Sequence, residues 1–218
     1  MSPFIPSKYS GTGSCFGDLG DVSSVGHSQN GWPASIDPSQ IDVISIAVPL
    51  SSGKSKTIQV ARKAAPVLVT FAQWWDKNIE PITELYCYNY REIRGYEGSG
   101  TISNHGSGTA LDINASKHPL AAEGTVTPAQ HAAISAKALE LGLRYGGDYN
   151  GRKDEMHVEV NSTVDQMVDI GKSLVKNHWI LGTAIFGIGA LGIVGAVYYR
   201  KVHHEPIKLR HRQVDIVE

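Results

Sequence analysis

Within "SNHGSGTALDIN", residues 103–114, His105 and Asp112 stand seven positions apart with Gly106 and Gly108 between them. Some forty residues on, "DEMHVEV" (154–160) brings a second histidine, His157, just after two acids, Asp154 and Glu155. A mononuclear zinc hydrolase needs three protein ligands of mixed nitrogen and oxygen type and an open position for water. It also needs a carboxylate to take that water's proton. His105, Asp112 and His157, with Asp154 or Glu155, supply such a set. Spacing alone does not separate it from a plainer arrangement: His105 in a solvated loop, Asp112 capping a turn, His157 satisfied in a half-buried strand. Shared coordination makes a geometric demand, however. Seven residues of straight strand would carry His105 and Asp112 more than about 20 Å apart and onto opposite faces. Gly106 and Gly108 allow the chain to fold back so that both could reach one ion.

The elements that must position these residues are legible in part. "IDVISIAVPL" (41–50) has the β-branched content of a strand. Over 57–79, Val60, Ala64, Val67, Leu68, Phe71, Trp74 and Trp75 form an apolar stripe at helical spacing. Pro66 must start that helix or kink it, and the two tryptophans are expected to pack. "LYCYNYREI" (85–93) and "TALDIN" (109–114) read as strands. "TPAQHAAISAKALELG" reads as a helix capped by Thr127, with Pro128 first, Gln130 completing a capping box and Gly142 as the stop. "MHVEV" (156–160) reads as a final strand, with Met156, Val158 and Val160 on one face and His157 and Glu159 on the other. The expected fold class is α+β, a small antiparallel sheet with helices around a mononuclear zinc site, followed by one C-terminal transmembrane helix. The division is a Gly-, Ser- and Asp-rich arm (1–29), a globular domain (30–165), an amphipathic linker (166–178), a membrane span (179–199) and a basic tail (200–218).

The span rests on "WILGTAIFGIGALGIVGAVYY", 21 residues without a charge. As a helix it would cover roughly 30 Å, the hydrocarbon thickness of a bilayer. Trp179, Tyr198 and Tyr199 suit its two interfaces. Arg200, Lys201, Lys208, Arg210 and Arg212 outnumber Lys172 and Lys176, which puts the C-terminus in the cytoplasm and the domain outside. Gly192 and Ala196 fit small-xxx-small packing, a motif for self-association. "MSPFIPSKYSG" shows no basic start followed by an apolar run, so export by a secretory signal is not expected. The formal net charge of −1 gives no basic field for nucleic acid. Cys15 and Cys87 are too few and too far apart for a disulfide framework or a zinc knuckle.

The residues around the two histidines narrow the choice. "SNHGSGTALD" resembles the Ser-x-His-x-x-Gly-x-Ala-x-Asp signature of the VanY-type zinc D-Ala-D-Ala carboxypeptidases and L-alanyl-D-glutamate endopeptidases, with Ser103, His105, Gly108, Ala110 and Asp112 at every fixed position. "DEMHVE" resembles that family's second motif, an acid three residues before the last histidine. "NGWP" (30–33), "YNYREIRG" (88–95) and "GGDY" (146–149) resemble its phage-associated branch. The resemblance covers about residues 30–160. It implies zinc held by His105, Asp112 and His157, with Asp154 as the catalytic acid/base and Glu155 as its rival. It implies Arg91, or failing it Arg94, as the arginine that holds the substrate carbonyl or carboxylate, and Ser103 as a buttress. The substrate implied is a peptidoglycan stem peptide. On a regular strand Asp154 would face away from His157, so the chain must turn between them.

The expectation is a zinc peptidase of phage or bacterial origin, membrane-anchored, with its domain on the wall side. Delivery by a phage particle would remove the need for a signal. Two rivals belong to other classes: a non-catalytic wall-binding protein that keeps the fold, and a membrane-lesion protein whose span does the work.

Overall fold

The computed structural model describes residues 25–185. Strands β1 (Gly26–His27) and β2 (Pro33–Ala34) pair antiparallel at the start of the domain. Strands β3 (Val43–Pro49) and β4 (Ser55–Ala61) form a hairpin, and helix α1 (Ala65–Asn78) follows. The helical stripe expected over 57–79 is thus two elements. Val60 belongs to β4, opposite Ile44, and the helix begins only at Ala65, with Pro66 in its first turn. Proline has no N–H to lose there, and its fixed φ suits the first turn. Val67, Leu68, Phe71 and Trp75 are buried along one side of α1, while Trp74 is half-buried with its ring 5.8 Å from that of Phe71.

A four-stranded antiparallel sheet carries the histidines. Its strands are β5 (Leu85–Tyr86), β6 (Ala110–Ile113), β7 (Leu143–Tyr145) and β8 (His157–Val160), in spatial order β5-β6-β8-β7. The strand expected over 85–93 pairs in this sheet only at Leu85 and Tyr86. Beyond them Tyr88 N–H donates to the Gln59 carbonyl and Asn89 N–H to the His105 carbonyl, which takes the backbone off the sheet and along the site. Strand β7 has three residues, too few to show alternation by themselves, and β8 specifies it by pairing.

Helix α2 (Pro128–Glu140) begins as its punctuation requires. The Thr127 hydroxyl accepts from Gln130 N–H, and the Gln130 side chain accepts from Thr127 N–H. The apolar face of the sheet (Leu111, Ile113, Val158, Val160) meets Leu68, Phe71 and Ile134 in one core, every one of them at most 1% exposed. Trp32, from "NGWP", is also buried and donates from Nε1 to the Ser162 carbonyl at 3.2 Å.

Helix α3 starts at Val164, and its backbone runs to Ile185. One compact unit extends to Leu174 and a second starts at Val175. No helix among the described residues is long and apolar enough to cross a membrane. Most of the apolar segment 179–199, and Cys15, lie outside the described residues.

Candidate metal centre

Strand register and one tight turn bring His105, Asp112 and His157 together. Asp112 on β6 is the direct cross-strand partner of His157 on β8, so both side chains leave the same face of the sheet. His105 sits in a 3₁₀ turn, Asn104–Ser107, that runs straight into β6. Gly108 ends the turn in the left-handed region at φ 66°, where a Cβ would meet the Ala61 backbone nitrogen at 2.8 Å. Gly106 serves differently: its φ is ordinary, but a Cβ would strike Ile102 at 2.5 Å. One glycine reverses the chain, and the other lets it pack.

The distances fit a group that could hold a metal ion. Asp112 Oδ1 lies 3.1 Å from His105 Nε2 and 2.9 Å from His157 Nδ1, and the two ring nitrogens are 3.2 Å apart. Tetrahedral zinc with bonds of about 2.0–2.1 Å has ligand–ligand edges of roughly 3.3–3.4 Å, so this triangle needs to open by only a few tenths of an ångström. All three residues are buried.

The remaining ring nitrogens fix which atoms point inward. His105 Nδ1 is 2.5 Å from the Cys87 carbonyl, which can only accept, so Nδ1 carries the proton and Nε2 presents a lone pair. That lone pair and the Asp112 carboxylate oxygen are two acceptors facing His157 Nδ1, 3.2 and 2.9 Å away, the place a cation could take. Burial alone would raise the Asp112 carboxyl, but His105 and His157 hold it well below the usual carboxylate range. Burial alone would lower His157, but hydrogen bonds to the Asp112 and Glu159 carboxylates push it up to about 10.

Asp154 and Glu155, adjacent in sequence, go to different places. His157 N–H donates to the Asp154 carbonyl at 3.1 Å, closing the turn that a straight strand would lack. Gly146 of "GGDY" makes room for that turn, since a Cβ there would collide with the Asp154 backbone oxygen. Asp154 Oδ1 is buried without a hydrogen-bond partner. Burial pushes this carboxyl up to about 6, with His157 and His105 pulling it down and Asp112 adding to the rise. Glu155 is consumed by structure: its carboxylate accepts from the backbone N–H groups of Gly124, Thr125 and Val126 and from the Thr125 hydroxyl.

A cavity of about 500 Å³ opens on this centre, lined by His105 and Asp112, by Arg91 and Arg94, and by Gln59 and Tyr86 among others. Arg91 is held by its backbone, its carbonyl accepting from Ser103 N–H at 3.0 Å. Its Nε is buried without a partner, and burial together with the neighbouring Arg94 weakens its hold on its proton. Ser103 caps the 3₁₀ turn by accepting from His105 N–H at 3.4 Å. Cys87 is a buried free thiol, its acidity suppressed by burial and by Asp112, and it serves the site through its carbonyl.

Sequence reasoning alone does not find what stands behind the candidate ligands. Glu159 accepts from His157 Nε2 at 3.1 Å and from Asn104 Nδ2 at 2.5 Å. It also accepts from Arg144 and from the Tyr149 hydroxyl. The period-two pattern of β8 already put Glu159 on the face of His157, the one signal that could have found it.

Residues 97–160 match the sequence profile of a family described as D-alanyl-D-alanine carboxypeptidase. No curated protein and no solved structure matches the chain. The matched stretch contains His105, Asp112, Asp154 and His157 and leaves out Arg91 and Arg94. It supports a peptidoglycan-related peptidase of the D-Ala-D-Ala carboxypeptidase type, and the buried His-Asp-His group is one that could hold a metal ion.

Proposed function

We propose that the protein is a zinc-dependent peptidase of the VanY type that hydrolyses peptide bonds in bacterial peptidoglycan stem peptides, as a D-Ala-D-Ala carboxypeptidase or an L-Ala-D-Glu endopeptidase. The observation that carries this is the convergence of His105 Nε2, Asp112 Oδ1 and His157 Nδ1 within 2.9–3.2 Å, near Asp154, whose Oδ1 is buried without a partner. His105, Asp112 and His157 would hold the zinc, which when bound supplies Lewis-acid activation of a carbonyl and of water. Asp154 accepts the proton of the attacking water and returns it to the leaving amine, a task suited to a carboxyl raised towards neutrality. Arg91, on the cavity wall, offers its guanidinium to the developing oxyanion or to a substrate carboxylate, with Arg94 beside it as second cation.

Digestion of purified muropeptides, followed by mass spectrometry, tests the activity and identifies the bond cut. Metal analysis of the purified protein accompanies it. Stoichiometric zinc with cleavage is the expected result. No zinc and no cleavage would favour a wall-binding protein that keeps only the fold.

The cellular setting belongs to the same proposal: a phage cell-wall-degrading protein anchored through the uncharged segment 179–199, with the peptidase domain on the wall side. The 21 uncharged residues and the basic residues after them support the anchor and its orientation, and the resemblance of "NGWP", "YNYREIRG" and "GGDY" supports the phage setting. Protease protection in membrane vesicles tests it, and full digestion of the domain together with segment 179–199 would sink the anchor.

A further inference from the structure

We infer that Glu159 is a positioning residue of the metal centre, which fixes His157 with Nδ1 facing Asp112 and His105 and ties together the two chain segments that carry the histidines. This rests on reading the triad as a metal centre.

The starting point is a carboxylate where none is cheap to keep. Glu159 is 3% exposed, and desolvating a carboxylate costs several kcal/mol unless hydrogen bonds replace the lost water. Its two oxygens face different neighbours. Oε1 takes Arg144 Nε at 2.7 Å, a second Arg144 nitrogen and the Tyr149 hydroxyl at 2.8 Å. The Arg144 guanidinium lies over the Tyr149 ring, 4.9 Å from its centroid. Oε2 points the other way, to His157 Nε2 at 3.1 Å and Asn104 Nδ2 at 2.5 Å.

A role confined to pinning β7 against β8 would need only the first set, because Arg144 and Glu159 are cross-strand partners. The second set is directed at the site. Asn104 is the chain neighbour of His105, and its Oδ1 accepts from Asn30 N–H at 2.9 Å, which fixes the amide so that Nδ2 faces Glu159. One oxygen therefore fastens the 3₁₀ turn bearing His105 to the strand bearing His157. It also selects the tautomer in which His157 would ligate: both ring nitrogens face carboxylate oxygens, Asp112 at 2.9 Å and Glu159 at 3.1 Å, and with Nδ1 given to a metal the remaining proton sits on Nε2, where Glu159 accepts it. Outer carboxylates of this kind orient a ligating imidazole and raise its basicity.

Glu159→Gln tests this with little change of shape. The amide must turn its NH₂ either to Arg144 and Tyr149 or to His157 and Asn104, and it meets a donor on both sides. The readouts are zinc affinity by chelator competition and the absorption spectrum of the Co²⁺-substituted protein. The expected result is a loss of about 10–100-fold in zinc affinity and an altered Co²⁺ spectrum. Arg144→Met, which leaves the Oε2 contacts in place, should lower thermal stability with less than a threefold loss of affinity. A folded Glu159→Gln protein with zinc affinity within threefold of wild type overturns the inference, as does an equal loss in both variants. If Glu159→Gln does not fold, ¹⁵N spectra of His157 in the wild-type protein decide. Protonated Nε2 with Nδ1 shifted by zinc supports the assignment, and the reverse overturns it. Wild-type protein that binds no zinc removes the metal-centre reading itself, a result distinct from either.

Discussion

Two buried clusters in this domain are built from the same residue types and have opposite chemical meanings. The candidate metal centre has His105, His157 and Asp112, with Asp154 beside it. His118, Glu80 and Glu155 form a second group, joined through Thr125. There His118 Nδ1 contacts the Thr125 hydroxyl at 2.8 Å and Nε2 contacts Glu80 at 3.1 Å. Glu80 also accepts from Lys117 at 3.0 Å and from Asn114, and Glu155 accepts from four donors of the 124–126 turn. In the second group every one of these polar side chains has a protein partner, and it closes the loop between β6 and α2. In the first, His105 Nε2, Asp112 Oδ1 and His157 Nδ1 converge within 2.9–3.2 Å and Asp154 Oδ1 has no partner. Histidines and acids together do not mark chemistry; convergence and an unsatisfied buried atom do.

The contrast can be broken most directly by removing one histidine from each cluster. His157→Ala should abolish stoichiometric zinc and with it peptide cleavage, as seen by metal analysis and muropeptide digestion. His118→Ala should keep zinc and lose about 1–3 kcal/mol of stability, the cost of unpaired buried groups, measured by denaturant titration. Equal zinc loss in both would erase the distinction.

Neighbouring acids give the next largest difference. Asp154→Asn should lower kcat/KM by about 10²–10⁴-fold, the range for losing a general acid–base, while zinc content stays at the wild-type level. Glu155→Gln should instead lower the melting temperature, because a neutral amide cannot replace an acceptor of four hydrogen bonds, with kcat/KM of the folded fraction within a few-fold. An active Asp154→Asn protein alongside a dead but well-folded Glu155→Gln protein would reverse the two roles.

A smaller effect follows from pH. Asp154 is raised above its ordinary carboxylate value to about 6, chiefly by burial. The proton it binds below that pH favours the folded chain, and this contribution disappears as pH rises through about 6. Asp154→Asn should therefore raise the melting temperature by several degrees at pH 7.5 relative to wild type and by less at pH 4.5. As the proton acceptor, Asp154 should give metal-loaded enzyme an activity that falls on the acid side. Equal melting shifts at the two pH values would show that the wild-type carboxyl titrates in the ordinary range.

Legibility in the sequence followed the range of the interaction. The cap of α2, the place of Pro66 and the β8 alternation are local, and they stand in the structure where the sequence put them. The helical stripe failed over 57–61 because β4 is specified by its partner: Val60 opposite Ile44 satisfies a ladder that lies outside the stretch itself. The strand at 85–93 failed beyond Tyr86 because the following backbone hydrogen-bonds to the 3₁₀ turn and to β4 rather than to β6.

The residue types of a candidate metal centre, the glycines its turn needs, and the motif resemblance that gave His105, Asp112, Asp154 and His157 their expected roles all stand in the sequence. Only the tertiary structure decided that Asp112 and His157 face each other across β6 and β8. It also decided that Glu155 is spent on a neighbouring turn while Asp154 Oδ1 stays without a partner, and that Glu159 stands behind His157. Side-chain type and local backbone preference are properties of short stretches. Which buried oxygen finds a donor depends on segments far apart in the chain, and no local pattern carries that information.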